Sequence, residues 1–355
     1  MRTLLGSPPA KGKFQGAISM SNLGGGVGLG LSGDYATTYS SYLNPTQAFA
    51  ASGGNSLFTQ VGCTQTTLDA QIACLKQLPA STIAGSSIVA DKVVQDGHVV
   101  NTEELDLVNG TAAHVPVVFG TTADDGASFS AYPKTPVTSE LAGIEASLGI
   151  SATYAQSIIN SKLFPYYNTG NVTLDSFNVS ARVSTDIQFR CVDQATVYAA
   201  SKTGAFPASY FYQMDRTING YDPNNLGGPP VTPGYPLGNP NLPYFRLHGS
   251  DMPWVFGDLG ELRDANDLYS IQLSTAYFGS FVKTGQPNPD FQYLTVRGYT
   301  TALSAIEKTG PWDAVRGDQG PIRRIDYPAV ASTFIDVPQC AWLNYSLSYY
   351  LEGGK

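Results

Sequence analysis

Compact apolar runs mark three strands along the chain. Residues 115–120 are an apolar run that ends in glycine, which is typical of a strand buried in a parallel sheet. Residues 14–21 predict a second short buried strand, and the aromatic-rich residues 208–214 predict a third. Helical patterns lie between these runs. Strands that alternate with helices predict an α/β fold with a mostly parallel sheet and helices on both faces.

Apolar residues at helical spacing predict the helices. The clearest pattern is a stripe with spacings of three and four residues, formed by Leu268, Ile271, Thr275, Phe278 and Val282. Gly285 and Pro287 end this helix. Further helices are predicted at residues 57–78 (two helices around a cysteine loop), 138–163, 183–201 and 340–350. No internal repeat or linker divides the sequence, so residues 1–355 are predicted to form a single domain.

Two loops stand out by their composition. Residues 23–33 are rich in glycine, and residues 28–33 match the G-x-G-x-x-G pattern after a strand. A dinucleotide site needs that turn at the start of a βαβ unit, whereas the further glycines here are typical of a flexible loop. A nucleotide-binding function therefore ranks low, and no cofactor is expected. Residues 223–243 contain seven prolines and predict a stiff rim or lid segment.

The sequence is poor in charge and acidic overall. Charged residues make up 14% of the 355 residues, and the formal net charge is −8. Nucleic acids and anionic membranes bind basic surfaces, so neither is an expected partner. No apolar run reaches the roughly 18 residues that cross a bilayer, so no membrane span is predicted.

Cysteines and glycosylation sequons favour the secretory pathway. Two disulfides in any of three pairings can join the four cysteines: Cys63, Cys74, Cys191 and Cys340. The sequence has no Cys-x-x-Cys pair or cysteine–histidine cluster, so no metal site is expected. Asn-x-Ser/Thr sequons occur at Asn109, Asn171, Asn178 and Asn344. These features predict a secreted, extracellular glycoprotein.

One histidine and one acidic pair are candidates for catalysis. His248 follows the third predicted strand and the long loop, where α/β enzymes place active-site groups. Asp124 and Asp125 directly follow the strand at residues 115–120. They are either two solvated turn carboxylates or include one carboxylate aimed at a histidine. His114 is interpreted as a structural residue and His98 as a turn residue.

The nucleophile that would complete such a site is missing from the sequence. An acid followed by a histidine is the order in which α/β-hydrolases carry these groups after their serine. No G-x-S-x-G elbow occurs in the 355 residues. Four serines lie near the motifs but lack its flanking glycines: Ser19, Ser21, Ser128 and Ser250.

Five segments in combination resemble the type-B carboxylesterase/lipase family, the cholinesterase-like α/β-hydrolases. LLGSPPAKGKFQGAISMS is similar to the stretch that follows the family's serine elbow. GTTADDGASF resembles the family's GxxxxEGxxF, and HGSDMPWVFG resembles its HGxDLxxVFG. TGQPNPD and QCAWLN are similar to TGNPN and to a C-terminal CxFWN. The resemblance covers essentially the whole chain and is strongest to secreted fungal members.

The resemblance implies a role for each matching residue. His248 is the triad base, and Asp125 stands where the family has its triad glutamate. Ser21 and Asp251 fall on positions that support this pair by hydrogen bonds. Cys63 pairs with Cys74, and Cys191 with Cys340. The implied activity is hydrolysis of a small-molecule or lipid ester.

The resemblance also implies that this sequence is the C-terminal part of an α/β-hydrolase. The family's first strands, its oxyanion loop and its serine elbow precede the segment that Met1 begins, and no signal peptide opens the chain. We therefore expect a fragment that lacks esterase activity on its own. The alternative is a non-catalytic cholinesterase-like binding or adhesion module. Retention of both His248 and Asp125 counts against that alternative.

Overall fold

A five-stranded sheet organises the described part of the chain. The computed structural model describes residues 1–22, 42, 44–51, 56–87, 93–102 and 104–353. The strands in these residues are β1 Ala17–Met20, β2 Val117–Thr122, β3 Ser209–Met214, β4 Ile322–Ile325 and β5 Val330–Ser332. They lie in the order β1-β2-β3-β4-β5. All neighbours are parallel except β4 and β5. This is the mostly parallel α/β sheet that the sequence predicts.

Helices connect the strands in the described residues. Those before β2 are α1 Arg2–Gly6, α2 Pro45–Ala51, α3 Ser56–Gln60, α4 Leu68–Gln77 and α5 Ala80–Ala84. Those between β2 and β3 are α6 Glu140–Leu148, α7 Ala152–Ser161, α8 Val172–Thr185 and α9 Cys191–Thr203. Those after β3 are α10 Met252–Phe256, α11 Ala265–Thr284, α12 Phe291–Val296, α13 Thr300–Thr309 and α14 Val337–Trp342. Pro8–Ala10 and Asp125–Phe129 are 3₁₀ turns, and the π turn Asp186–Arg190 joins α8 to α9.

The strand β2 is buried along its whole length and separates two halves of the core. Val117 and Phe119 pack with residues of α6 to α9, whereas Val118 packs with residues of α11 to α13. Successive side chains of a strand point to opposite faces, so helices cover both faces of the sheet. Gly120 allows β3 to lie close, because a Cβ there would come within 2.0 Å of the Tyr212 ring.

Three of the strands lie where the apolar runs predict them. β1 pairs with β2 in parallel, with Ala17 opposite Val117. β4 and β5 are not predicted by the sequence pattern. The sequence of β4 is Ile-Arg-Arg-Ile. Its Arg323 is buried, and Nη2 of the guanidinium donates to the backbone carbonyls of Pro311 at 2.5 Å and Gly310 at 3.2 Å.

Three of the predicted helices have different bounds. Residues 138–163 form two helices, because Gly149 takes a left-handed φ of 66° and ends α6. The helix expected at 183–201 begins earlier, at Val172, where the Asn171 side chain caps it. The last helix expected at 340–350 ends at Trp342, and Asn344 has a left-handed φ of 63°.

The apolar stripe predicted for α11 is only partly buried. Phe278 is 4% exposed and packs in the core, as the pattern predicts, but the two end residues of the stripe do not. Leu268 is 41% and Val282 is 74% exposed, whereas Tyr277 and Phe281 are buried. The buried face is partly polar, which hides it from a hydrophobic pattern. Asp267 lies in that face as the ion-pair partner of two arginines, and such pairing makes a buried carboxylate tolerable.

The two disulfides implied by the family resemblance are confirmed. Cys63 is bonded to Cys74 across 11 residues, and Cys191 to Cys340 across 149 residues. On the chain-entropy model the longer loop gives the larger stabilisation, roughly 4 to 5 kcal/mol. The second bond ties the start of α9 to α14.

Arg2 connects the first helix to distant parts of the chain. This buried guanidinium donates to Asp193 Oδ1 at 2.7 Å and to Thr196 Oγ1 at 2.6 Å, both on α9. It also donates to the Tyr350 hydroxyl near the end of the described chain.

No helix in the described residues is long and apolar enough to cross a bilayer. The G-x-G-x-x-G segment at residues 28–33 lies outside the described residues. In the proline-rich segment 223–243, Gly227 forms an isolated β-bridge with Asp222 just before the segment, and Thr232 forms one with Tyr235. Its predicted role as a rim or lid stays a prediction.

Candidate active site

The parallel sheet brings the predicted acid and histidine to one edge. β2 and β3 pair in parallel from Val117 and Ser209 to Thr122 and Met214, so their carboxyl ends meet. Asp125 follows β2 after two residues. His248 lies near the end of the long connection that leaves β3. Ligands of open α/β sheets bind at this carboxyl edge.

His248 and Asp125 form a hydrogen-bonded pair. His248 Nδ1 lies 3.1 Å from Asp125 Oδ1. The Asp125 side chain is fully buried, and its other oxygen accepts the Thr122 backbone N–H at 2.9 Å. The His248 side chain is 34% exposed. Because Nδ1 is engaged by the carboxylate, Nε2 is the nitrogen that can exchange a proton with another group.

Two phenylalanines hold the imidazole ring. Phe129 meets the ring edge-on, at 5.3 Å between centroids and 70° between planes. Phe189 makes the second contact, with 5.0 Å between the ring centroids and 32° between the ring planes. Phe189 is buried in the π turn, whereas Phe129 is 44% exposed. The sequence did not single out Phe189, because nothing in a helical pattern shows that a π turn will present it to a distant histidine.

The surroundings of His248 raise its pKa. Partial burial of the ring alone lowers the pKa, but the hydrogen bond and charge of Asp125 and the charge of Asp251 outweigh it. The pair therefore favours the imidazolium form. A histidine that must carry a proton during catalysis is stabilised by this arrangement.

Asp124 is not a solvated turn carboxylate. Its Oδ2 accepts the backbone N–H of Arg246 at 2.9 Å, and its own N–H donates to the Arg246 carbonyl at 2.9 Å. Thr122 Oγ1 donates to the same carbonyl at 2.5 Å. Burial raises the pKa of Asp124, partly offset by the Arg246 amide and charge. Asp124 thus holds the segment that leads to His248, and Asp125 faces the ring.

Gly126 lets the turn lie directly on α8. A Cβ at this position would come within 2.2 Å of the Thr185 backbone nitrogen. The Gly126 N–H donates to Thr185 Oγ1 at 2.9 Å. Only glycine allows this approach, so the residue after the acid fixes the turn against the helix.

Asp251 and Ser21 lie buried, with partners that differ from those expected. Asp251 accepts the Tyr212 hydroxyl at 2.5 Å rather than a group of the pair. Burial raises the pKa of Asp251 to about 6, partly offset by that hydrogen bond. Ser21 follows β1 with a left-handed φ of 48°, and its N–H donates to Gly120 at 2.7 Å. Within the described residues neither Ser21 Oγ nor Asp251 Oδ1 has a hydrogen-bond partner.

The other two histidines lie apart from this site. His98 is exposed in a turn, where its N–H donates to Asp96 Oδ1 at 2.9 Å. His114 is exposed before β2, with Nδ1 3.0 Å from the Ala205 carbonyl. Among the described residues, no three histidine, cysteine or acidic side chains gather in a group that could hold a metal ion.

The four sequons differ in their surroundings. Asn109, Asn171 and Asn344 are exposed. Asn178 is half-buried within α8, and its Nδ2 donates to the Leu174 carbonyl at 3.0 Å. Asn109 Nδ2 is also engaged, by Asp106 Oδ1 at 3.2 Å, but in exposed surroundings. Because a glycan needs solvent space around this nitrogen, the half-buried Asn178 is the sequon least suited to modification.

Comparison with known families gives one match that covers nearly the whole chain. The family model described as the carboxylesterase family matches residues 1–342. No curated protein matches the chain.

Proposed function

The chain belongs to the carboxylesterase family, and on that premise we propose that His248 and Asp125 are the base and the acid of a Ser-His-Asp triad that hydrolyses carboxylic esters. The observation that carries the proposal is the 3.1 Å contact between His248 Nδ1 and the buried Asp125 Oδ1 at the carboxyl edge of the sheet. The family implies a small-molecule ester as the substrate.

Each member of the pair has a defined step. His248 Nε2 accepts the proton of a serine hydroxyl as the serine oxygen bonds to the ester carbonyl carbon. The same nitrogen then returns the proton to the leaving alkoxide when the tetrahedral intermediate collapses to the acyl-enzyme. Water then bonds to the acyl carbon in the same way, with His248 accepting its proton and returning it to the serine oxygen. This step releases the carboxylic acid product. Asp125 keeps the proton on Nδ1 and stabilises the imidazolium between these transfers.

We propose further that the serine is not among these 355 residues. No G-x-S-x-G elbow occurs in the sequence. Without an oriented nucleophile or oxyanion donors, a neutral imidazole is only a weak general base toward water. The 355-residue chain is therefore expected to hydrolyse an aryl acetate no faster than free imidazole at the same concentration.

A pair of assays tests both statements. The first measures aryl acetate hydrolysis and phosphonate labelling for the 355-residue chain, and neither is expected. The second uses a longer polypeptide that adds a serine-elbow segment before Met1. It should be active and should lose at least about 10³-fold in kcat in His248→Ala. His114→Ala, a change in the histidine that lies apart, is the control and should keep full activity. Full activity in His248→Ala would falsify the assignment.

We also propose that the native protein is extracellular. Two closed disulfides and three exposed sequons support this location. Mass spectrometry of protein from a secretory host should find glycans at exposed sequons and none at Asn178. Secreted protein that shows no mass change on glycosidase treatment would contradict it.

A further inference from the structure

The helix that runs from α8 into α9 carries a π turn beside the proposed catalytic pair. This turn, Asp186–Arg190, is buried throughout. π turns are rare and often lie at functional sites. Two consecutive residues of this π turn contact the proposed pair or the turn that carries its acid. Phe189 contacts the His248 ring, and Arg190 reaches the turn that carries Asp125.

Arg190 joins separate elements around that turn. Its Nη2 donates to the Ala123 carbonyl at 2.7 Å and to Gln213 Oε1 at 3.3 Å. Its Nη1 donates to Asp186 and, at 2.8 Å, to Asp336 Oδ2. One planar guanidinium therefore connects the residues after β2, the end of β3, the π turn and the segment before α14. The Arg190 side chain is only 4% exposed.

Arg190 lies in a cluster of charged groups. Arg182 and Arg190 form ion pairs with Asp186 and Asp336, and Asp124 is a further acidic group near Arg190. The charges that raise the pKa of His248 belong to Asp125 and Asp251. Arg190 bonds the Ala123 carbonyl, two residues before the acid, so its contact with the pair is geometric.

We propose that Arg190 is a positioning residue for the Asp125–His248 pair, fixing the 123–125 turn against β3 while holding Phe189 on the imidazole. This inference rests on the proposed function, since it treats the pair as the working unit. Arginine suits the role because its rigid fork can bond two acceptors at once, whereas a lysine ammonium is a single point of charge.

The experiment is an NMR titration of histidine ring signals in the 355-residue chain. The chain has only three histidines, so the His248 signal can be assigned from a His248→Gln variant. Arg190→Lys keeps the positive charge but loses the planar guanidinium that bonds several acceptors at once. If Arg190 positions the turn, the Nδ1–Oδ1 contact loosens in this variant. At least half of the elevation of the His248 pKa above the ordinary ~6.5 should then be lost.

Arg182→Lys is the matched control. Arg182 bonds the same Asp336, with its Nε 2.9 Å from Asp336 Oδ2, but belongs to α8 and has no hydrogen bond to Ala123 in the structure. It should leave the His248 pKa unchanged. A simple loss of positive charge near the pair would raise the His248 pKa. The fall predicted for Arg190→Lys therefore has the opposite sign from such an electrostatic effect.

The outcomes separate the two proposals. A wild-type His248 pKa at the ordinary value contradicts the proposed pair itself. An elevated wild-type value that persists in folded Arg190→Lys, or falls equally in Arg182→Lys, overturns only the role of Arg190. If Arg190→Lys does not fold, the charge-neutral double variant Arg190→Gln/Asp186→Asn replaces it. This variant cannot reach Ala123 and should show the same fall. Failure of both to fold while Arg182→Lys folds would make Arg190 a stability residue and refute the positioning role.

Discussion

The acid and the histidine of the proposed site are held in two different ways. Asp125 is the third residue after β2, is fully buried, and accepts a backbone hydrogen bond from Thr122 at 2.9 Å. His248 comes after a connection that begins at residue 215, and a third of its side chain is exposed. A short connection leaves a side chain little freedom beyond that of its strand. A long connection places a side chain only with the help of further contacts.

The position of His248 is fixed by contacts with other segments. Asp124 bonds the Arg246 backbone at both N–H and carbonyl, and two phenylalanines contact the ring. The Asp124 contact and one of these rings belong to the acid side, since Asp124 and Phe129 flank Asp125 in the sequence. The comparison therefore teaches that the short turn after β2 organises both members of the pair. Variants of that turn should act on the acid, on the histidine loop, or on both.

The largest effect is expected from the acid itself. In the longer, active polypeptide, Asp125→Asn should lower kcat by about 10⁴-fold, because an amide neither holds the required tautomer nor stabilises the imidazolium. KM for a short aryl ester should change little. Steady-state kinetics measures both quantities. A kcat near that of the unmodified enzyme would show that Asp125 is only a structural partner of the histidine.

Gly126→Ala attacks the packing of the acid side. The new Cβ would lie 2.2 Å from the Thr185 nitrogen, so the turn or α8 must shift. We expect a loss of about 1 to 3 kcal/mol in the free energy of unfolding, measured in urea. Gly279→Ala is the matched control, because a Cβ on that helical glycine meets open space. It should be neutral or slightly stabilising. Equal losses in the two variants would mean that the close approach at Gly126 is not a constraint.

Asp124→Ala removes the side-chain hydrogen bond that holds the segment leading to His248. It leaves the Arg246 N–H without its carboxylate acceptor, which costs about 1 to 3 kcal/mol when the group stays buried. The loop should loosen, and kcat should fall by about tenfold, far less than in Asp125→Asn. Kinetics and urea unfolding check the two parts. A larger kcat loss here than in Asp125→Asn would reverse the roles assigned to the two aspartates.

The smallest effect is a pH dependence of stability. His248 has a raised pKa when folded, so its protonated form is favoured in the native state. That contribution is complete below the unfolded pKa of about 6.5 and disappears as the pH rises through the folded pKa. The stability difference between the wild type and His248→Gln should therefore shrink on going from acidic to alkaline pH. Urea titrations at several pH values measure it. A difference that grows with pH would mean that the charge of Asp125 does not reach the ring.

The sequence predicts the parts of the site that rest on local pattern. Three apolar runs predict β1, β2 and β3, and motifs after two of them identify Asp125 and His248. The family resemblance supplies the disulfide pairs. These features are recoverable because strand order and the position after a strand are written in consecutive residues.

The parts that the sequence did not reveal depend on partners far along the chain. Arg323 is buried in β4, where carbonyls outside the strand accept the hydrogen bonds of its Nη2. The buried face of α11 carries Asp267, which two arginines neutralise. Tyr212 reads as an ordinary strand aromatic, yet its hydroxyl bonds Asp251. Polar groups that are buried with a partner follow no apolar period, so hydrophobicity alone places them outside the core.

Arg2 gives the molecule an order in time. Its partners on α9, Asp193 and Thr196, lie 191 and 194 residues later in the sequence, and Tyr350 lies 348 residues later. During synthesis the guanidinium therefore has no native ion-pair partner until α9 has been made. Domains emerging from the ribosome fold from the N-terminal side, but α1 can dock onto α9 only after this delay. Proteolysis of stalled nascent chains should find residues 1–10 cleavable until α9 has emerged and protected afterwards. Protection before α9 has emerged would show that α1 docks without these partners.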